Sequence, residues 1–458
     1  MSDLSPDGLR RVLGVWSAVS IVVGTVIGSG IFLVPSSMIQ HVGSPETVLL
    51  VWVFGGLLSL AGALSYAELA AAMPAAGGEY VFLREAYGRF WGFLYNWTMT
   101  WVGKSGGVAA MATGFVYYLA NFIPQLDLVV YHIDAPIGPH GGPLEITYGQ
   151  FAAIGVIASL AVINYFGVQL GGRVQVAVTA AKVGLILAIV FIGLVWTRGA
   201  VANLATHVPA TGGVTGFFAA LVAALWAYDG WNNAPMVASE VRRPQRDMPR
   251  ALIGGVLVVM SVYLLANFAY FSALPAGEIA ASDRVAATMM ERILGPTGAA
   301  AVSIAAMISI YGAINGSLLS GARIPYAAAR DGMFFRALAR VHPVHRTPSA
   351  SIFALTGLAS VLVLSGRFEQ LFTYVIFAEW LLYGLTAAAV IVLRRKRPDL
   401  PRPYRTLGYP LVPVLFCIVA AGLLISTLVA SPRESLMGLT LVLAGIPFYF
   451  YWKRKALV

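Results

Sequence analysis

The chain has 458 residues, of which 59% are hydrophobic and only 11% charged, where a soluble domain carries roughly 25% charge. A formal net charge of +10 would suit a nucleic-acid partner, but the basic residues sit in short clusters between apolar runs, where they set topology instead of building a binding face. The composition is that of a polytopic membrane protein, and its single cysteine, Cys417, lies inside an apolar run, which excludes an intramolecular disulfide.

In chain order, the short N-terminus Met1 to Arg11 precedes an apolar run too long for a signal-peptide core and without a small-residue cleavage pattern, so a retained helix is expected. About twelve runs meet the 20-residue criterion for crossing a bilayer. They lie at roughly 12 to 38, 47 to 72, 90 to 123, 148 to 166, 173 to 197, 216 to 239, 250 to 273, 297 to 329, 349 to 366, 368 to 393, 409 to 430 and 435 to 452. No loop is long enough for a soluble domain, and the longest outer one, Asn121 to Thr147, is rich in proline and glycine. A single all-α transmembrane domain over residues 1–458 is therefore predicted.

The first run is interrupted where a spanning helix needs an unbroken backbone ladder, at Gly24-Thr25-Val26-Ile27-Gly28-Ser29-Gly30-Ile31-Phe32. Glycine and serine weaken a helix and leave its backbone bare, and unpaired groups at membrane depth must face protein, water or a ligand. Gly24 and Gly28 also form a Gly-x-x-x-Gly, so close helix packing and a binding break both stand as readings. The sixth run carries a second interruption, Leu225-Trp226-Ala227-Tyr228-Asp229-Gly230-Trp231-Asn232-Asn233-Ala234-Pro235.

Breaks in the first and sixth runs lie five runs apart, so the second unit starts on the opposite side of the membrane. This is the pattern of inverted five-helix repeats with a transport site at their interface. Repeat one covers about 12–197 and repeat two about 216–393, with two extra helices at about 409–452. Lys and Arg crowd one set of loops, as in Arg242, Arg243, Arg246 and Arg250 or the run Arg394-Arg395-Lys396-Arg397. The other set carries only Arg198, Arg284, Arg292, Arg367 and Arg433. The positive-inside rule then places both termini in the cytoplasm, consistent with an even number of spans.

Two breaks meeting at mid-membrane supply what a zwitterion needs. The N-H groups of Ser29, Gly30 and Ile31, at a helix start, suit a carboxylate, while carbonyls near Val26, Trp226 and Ala227 suit an ammonium. The substrate side chain would then project between spans 3, 6, 8 and 10. The residue set expected around such a substrate is Thr25, Val26, Ile27, Ser29, Gly30, Ile31, Trp226, Ala227, Asp229 and Asn232.

Several linked motifs carry a family resemblance over nearly the whole chain. Val22 to Phe32, Tyr228-Asp229-Gly230-Trp231-Asn232, and Ser239-Glu240 followed by Arg243-Pro244-Gln245-Arg246-Asp247-Met248-Pro249-Arg250-Ala251 closely resemble the amino acid-polyamine-organocation transporters, especially the L-type amino acid transporter branch. Tyr66-Ala67-Glu68-Leu69, Gly77-Gly78-Glu79-Tyr80, Asn315-Gly316-Ser317 and Ala329-Arg330-Asp331-Gly332 are similar to that branch too. The resemblance implies the broken-helix inverted-repeat fold, sodium-independent amino acid transport and alternating access, and an exchanger of L-amino acids is the expected mode. It also implies substrate contacts at Val26, Ser29, Gly30, Trp226, Ala227 and Asp229, with Trp226 as the outer lid, against the plain reading of a lipid- or core-facing tryptophan.

Ionisable residues within spans are few, so each is a functional candidate. The resemblance places Lys182 where sodium-coupled relatives hold a cation between spans 1 and 8. There it is a fixed strut or a proton site, unless it snorkels to the cytoplasmic surface. Asp229 is expected to cap the broken helix or bond Asn232 or Asn233, with direct substrate contact as the alternative. Lys104 and Glu379 lie midway along spans 3 and 10 and match no motif that assigns them a role. Glu68 is expected to pair with a loop arginine, whereas Arg323 and Glu240 form an inner gate or anchor the surface. The loop Ala276 to Gly295 is expected to form a short helix over the outer vestibule.

Enzyme readings find no catalytic constellation. The histidines lie in loops or near helix ends, no phosphate-binding Gly-x-x-x-x-Gly-Lys run exists, and no cofactor or metal is expected. The expected partners are an amino acid substrate and the lipid bilayer, with no nucleic acid. Animal relatives bind an accessory subunit through a cysteine in the outer loop after span 3; that loop lacks one here, so no disulfide-linked subunit is expected, and the chain is read as a monomer of the cell inner membrane. Small neutral substrates lead and dibasic ones stay open because of Asp229. A proton-coupled symporter, a polyamine carrier and a non-transporting amino acid sensor are the alternatives.

Overall fold

In hydrocarbon every backbone N-H and C=O must be satisfied within its own segment, and the apolar runs accordingly form helices in the computed structural model. The structure describes residues 4–134, 143–197, 202–210, 212–366, 368–430 and 432–455. Arg198, Arg367 and the middle of the outer loop, residues 135–142, lie outside the described residues.

The chain opens with α1 (Val15–Val26) and α2 (Gly30–Val42), the two halves of the first broken span, followed by α3 (Pro45–Ala72) and α4 (Glu79–Tyr87). Next come α5 (Arg89–Thr98) and α6 (Lys104–Leu119), joined by a π-helical turn at Met99–Gly103, then α7 (Tyr148–Tyr165) and α8 (Val168–Trp196). The second broken span is α9 (Gly213–Ala227) continued, after a break, by the 3-10 segment Trp231–Glu240. There follow α10 (Pro244–Ala273), α11 (Ala276–Ala280), α12 (Val285–Leu294), α13 (Pro296–Gly321), α14 (Arg323–Arg330) and α15 (Ser349–Ser365). The chain closes with α16 (Phe368–Lys396), α17 (Leu411–Ala430), α18 (Pro432–Leu443) and α19 (Gly445–Lys455).

Among the described residues nine helical stretches are long and apolar enough to cross a membrane, and the pair α1 and α2, bent by 43°, makes a tenth. The runs predicted at 90 to 123 and 349 to 366 are not among them: the first is built from α5, the π-helical turn and α6, and α15 has 17 residues. Large apolar side chains such as Trp16, at 74% exposure, and Val429, at 78%, face outward, as lipid contact requires. The outer loop departs from the all-α expectation, since Val129–Ile133 and Leu144–Thr147 pair as an antiparallel hairpin, β1 and β2. The loop Ala276 to Gly295 forms α11 and α12, and Gln40 and Ser36 of α2 donate to Ala280 O at 2.6 and 3.3 Å, tying α11 to the outer half of the first span.

Two packed groups of helices emerge. One gathers α1, α3, α9 and α10; the other gathers α6, α7, α13 and α15, and α8 lies between them against α1, α10 and α13. A buried amide chain crosses this middle layer. Asn164 donates to Asn315 at 2.8 Å, Asn315 to Gln175 at 2.7 Å, and Gln175 to Ser20 O at 3.1 Å, which ties α7, α13, α8 and α1 together. Side-chain amides bonded across helices in this way give specific helix registry that apolar packing in lipid does not.

At the end where the basic loops gather, Arg323 of α14 makes a bidentate pair with Glu240 at 2.7 and 3.0 Å, with neither side chain more than 1% exposed. Surface anchoring is thereby excluded for both. Glu240 O also accepts from Leu13 N at 3.0 Å, and Arg242 N donates to Leu13 O at 2.9 Å, so the end of the second broken span is knit to the start of the first. Glu68 takes Arg394 at 2.7 Å and Arg402 at 3.5 Å, the loop pairing expected of it.

Candidate functional site

The two breaks cross. The first helix half ends at Val26 and the second begins at Gly30, leaving Ile27 to Ser29 outside regular helix, with no side-chain cap on the α2 start. The second break falls at Tyr228 to Gly230, where Gly230 takes φ +113°, a conformation L side chains rarely adopt. Thr25 shares its hydroxyl proton between Ile21 O at 2.6 Å and Gly230 O at 2.8 Å, bonding one break to the other. Where they touch, a Cβ on Gly30 would stand 2.9 Å from the Ala227 Cβ and 3.4 Å from the Trp226 ring.

The exposed carbonyls of the breaks are claimed by three side chains. Lys182 of α8 is fully buried, and its ammonium donates to Gly24 O at 2.9 Å, Ile27 O at 2.7 Å and Ser309 O at 2.6 Å. It does not snorkel. Ser309 of α13 donates to Ile27 O and Gly28 O, both at 3.0 Å. Tyr263 of α10 donates to Val26 O at 3.0 Å and Ala227 O at 2.9 Å, standing between the two breaks. Its ring packs edge-on to Trp52 at 5.1 Å, which fixes where the hydroxyl points. Sequence reasoning missed Tyr263 and Ser309, because a search for charge within spans passes over hydroxyls.

A cavity of about 150 Å³ opens at the crossing. Thr25, Val26, Ser29, Gly30, Trp226, Ala227 and Asp229 line it, whereas Ile27, Ile31 and Asn232 do not. Ile27 and Ile31 are packed in the core, and Asn232 turns away to donate to Glu79 at 3.2 Å. Glu79 also accepts from Tyr66 at 2.5 Å and from Tyr95, so this carboxylate organises the inner side of the second break and takes Asn232 out of the site. The expected bonds from Asp229 to Asn232 or Asn233 are not formed either. Asn233 donates instead to Gly230 O at 3.0 Å, and the Asp229 carboxylate accepts from Tyr383 at 2.9 Å and from the Gly230 backbone. Lys104, Glu379, Gly103, Gly107 and Ser317 are lining residues that the motif search left without a role.

Gly24 and Gly28 part company. A Cβ on Gly24 would lie 2.1 Å from Gln175 Nε2, so this glycine serves close packing on α8, while Gly28 faces open space in the cavity wall. The packing reading is thus realised at Gly24, while Gly28 borders the cavity. Gly30→Ala is expected to reduce substrate exchange about tenfold, since overpacking at a tight crossing costs roughly 1–3 kcal/mol. Gly28→Ala, having room, is expected to fold as wild type, and thermal denaturation in detergent separates the two.

A polytopic helical membrane protein with a cavity where two broken spans cross is a transporter-type architecture. The chain belongs to the amino acid permease family, whose profile matches residues 13–446. It is 32% identical over 454 residues to the serine/threonine exchanger SteT of Bacillus subtilis (strain 168), an alignment covering 98% of each chain. It is also 32% identical over 454 residues to the b(0,+)-type amino acid transporter 1 of Mus musculus, covering 98% of this chain and 89% of that one. The large neutral amino acids transporter small subunit 2 of Mus musculus is 33% identical over 476 residues, covering 99% of this chain and 86% of the relative.

Proposed function

We propose that this protein is a sodium-independent exchanger of L-amino acids that works by alternating access. The observation that carries this reading is the Lys182 ammonium bound to Gly24 O, Ile27 O and Ser309 O. A fixed ammonium there performs what a bound cation would, holding the first break against α13 without needing a sodium ion to arrive and leave. The start of α2 presents the N-H groups of Ser29, Gly30 and Ile31 to the substrate carboxylate, because the first turn of a helix has no intrahelical acceptors for them. The ammonium lies toward Val26 O and Ala227 O, each with a lone pair left after accepting the Tyr263 hydroxyl. Trp226, in the cavity wall, closes over the substrate from outside.

The topology that goes with this function has twelve spans: the ten set by length, the interrupted path from α5 through α6, and α15. They are arranged as two inverted repeats of five with two helices appended. Both termini are cytoplasmic, and the chain is a monomer in the inner membrane with no disulfide-linked subunit. The group holding α1, α3, α9 and α10 rocks against the group holding α6, α7, α13 and α15, and the Arg323–Glu240 pair latches them at the cytoplasmic end. The likeness to a serine/threonine exchanger supports small neutral L-amino acids as substrates, and Asp229 in the cavity wall keeps dibasic ones open.

Uptake of labelled amino acids into proteoliposomes tests the reading. Preloading with unlabelled amino acid is expected to stimulate uptake in the absence of sodium and of a pH gradient. Accumulation only under an inward proton gradient would replace exchange by symport, and binding without any uptake would mark a sensor.

A further inference from the structure

The start of α10 carries cations where a helix is least suited to them. Arg246 lies in its first turn, at the positive end of the helix dipole, and Arg250 follows four residues on, where like charges repel. Both are exposed, and neither guanidinium has a hydrogen bond or ion pair with any described residue. The nearby carboxylate, Asp247, is buried at 1% exposure and pairs with Arg243 at 3.8 Å instead.

These two arginines form part of the wall of an open cleft of about 660 Å³. Ile253 and Gly254 of α10 continue that wall, Pro403 and Tyr404 of the loop between α16 and α17 complete it, and no aspartate or glutamate lines it. The loop is pinned in place. Thr406 N donates to Glu68 of α3 at 2.7 Å, and Arg402 donates to Leu393 O at 3.0 Å and to Leu400 O at 2.8 Å. The cleft therefore stands between two fixed walls.

Its two ends differ in chemistry. Arg246, Arg250, Gly254 and Val258 follow one another at intervals of four and so share one face of α10. That face is cationic where the basic loops gather and apolar two turns on, where Leu257 and Val258 are 45% and 41% exposed. Between them a Cβ on Gly254 would meet nothing within 4 Å, so the glycine leaves a groove along the helix. From Arg250 to Val258 is about 12 Å of helix. A soluble anion would use the arginines and leave the groove empty, and an uncharged lipid would do the reverse.

We infer that the cleft binds an anionic phospholipid of the adjoining leaflet, with its phosphate held by Arg246 and Arg250 and one acyl chain laid over Gly254 toward Leu257 and Val258. A guanidinium donates two parallel hydrogen bonds to phosphate oxygens, and basic pockets at a membrane surface recognise anionic headgroups in this way. Bound there, the lipid brackets α10 to the loop that leads into α17. The inference depends on membrane embedding and not on which substrate is carried.

Thermal denaturation and native mass spectrometry of the delipidated full-length protein in detergent test it, with dioleoylphosphatidylglycerol, dioleoylphosphatidylcholine and glycerol phosphate as probes. Wild-type protein is expected to be stabilised by phosphatidylglycerol at concentrations at least about tenfold below those of phosphatidylcholine, the scale of two basic groups at a lipid surface, and not by glycerol phosphate. Arg246→Gln combined with Arg250→Gln is expected to abolish the preference. Arg336→Gln combined with Arg340→Gln, which removes as much charge from another exposed segment, is expected to keep it. Gly254→Leu fills the groove while leaving both charges, and is expected to lose the phosphatidylglycerol that stays bound to wild type in the mass spectrum. Should the double arginine variant fail to fold, the Gly254→Leu spectrum decides by itself. A preference that survives the loss of Arg246 and Arg250, or one that the Arg336 and Arg340 pair abolishes equally, overturns the inference. Stabilisation by glycerol phosphate equal to that by the lipid, or lipid retained by Gly254→Leu, overturns it too.

Discussion

Lys182→Ala is expected to reduce exchange by at least about a hundredfold, since it strands buried carbonyls at roughly 1–3 kcal/mol each. Gly24 O lies in the last turn of α1, where the helix does not continue far enough to supply an N-H, and the ammonium is its one partner among the described residues. Ile27 O keeps the Ser309 hydroxyl at 3.0 Å, so the first break loses its tie to α8 but not its tie to α13. The break would then sample conformations in which the α2 N-terminus no longer faces the cavity. Lys182→Arg is expected to fail as well, because a planar guanidinium cannot converge on three carbonyls as an ammonium does. Gly312 shows how tight the fit is: a Cβ there would meet Lys182 Nζ at 3.2 Å. Counterflow measured across a pH series checks both variants alongside wild type. An alanine variant with unchanged rate and unchanged pH dependence would remove the strut role altogether.

The second large effect is expected at the Arg323–Glu240 pair. Arg323→Ala leaves Glu240 charged, fully buried and without its partner, a defect worth about 3–5 kcal/mol. The variant is expected to melt well below wild type and to lose exchange. The double variant Arg323→Met with Glu240→Met buries no charge and is expected to recover thermal stability. Exchange by that double variant is expected to stay impaired, because an apolar contact holds α14 to the end of the second broken span with neither the strength nor the directionality of a bidentate pair. Wild-type exchange rates in the double variant would show that the pair serves folding alone.

Much of the site was legible before any fold was known, and for local reasons. Glycine, serine, asparagine and proline inside an apolar run contradict a continuous helix wherever they fall, so both breaks could be placed to within a few residues. A lysine in the body of α8 contradicts lipid exposure in the same way, and the structure gives it three carbonyls. The partners of Asn232 and Asp229 were not legible. Both sit in the same motif, yet Asn232 is drawn to Glu79 and Asp229 to Tyr383, residues far away in the chain. Lys104 and Glu379 were visible only as two isolated charges in different runs.

The sequence by itself determined that the chain lives in a membrane and where its spans break, because each of these follows from what hydrocarbon forbids to a single segment, whereas the place of Lys182 beside the first break was implied only by the family resemblance. The tertiary structure alone decided which polar groups meet. Tyr263 closes two breaks that lie 201 positions apart, judged from Val26 and Ala227. Lys104, Asp229 and Glu379 share one cavity because a π-helical turn and the rotation of packed helices aim them at it. Those aims depend on how helices from distant parts of the chain pack, and no local pattern of residue types encodes that.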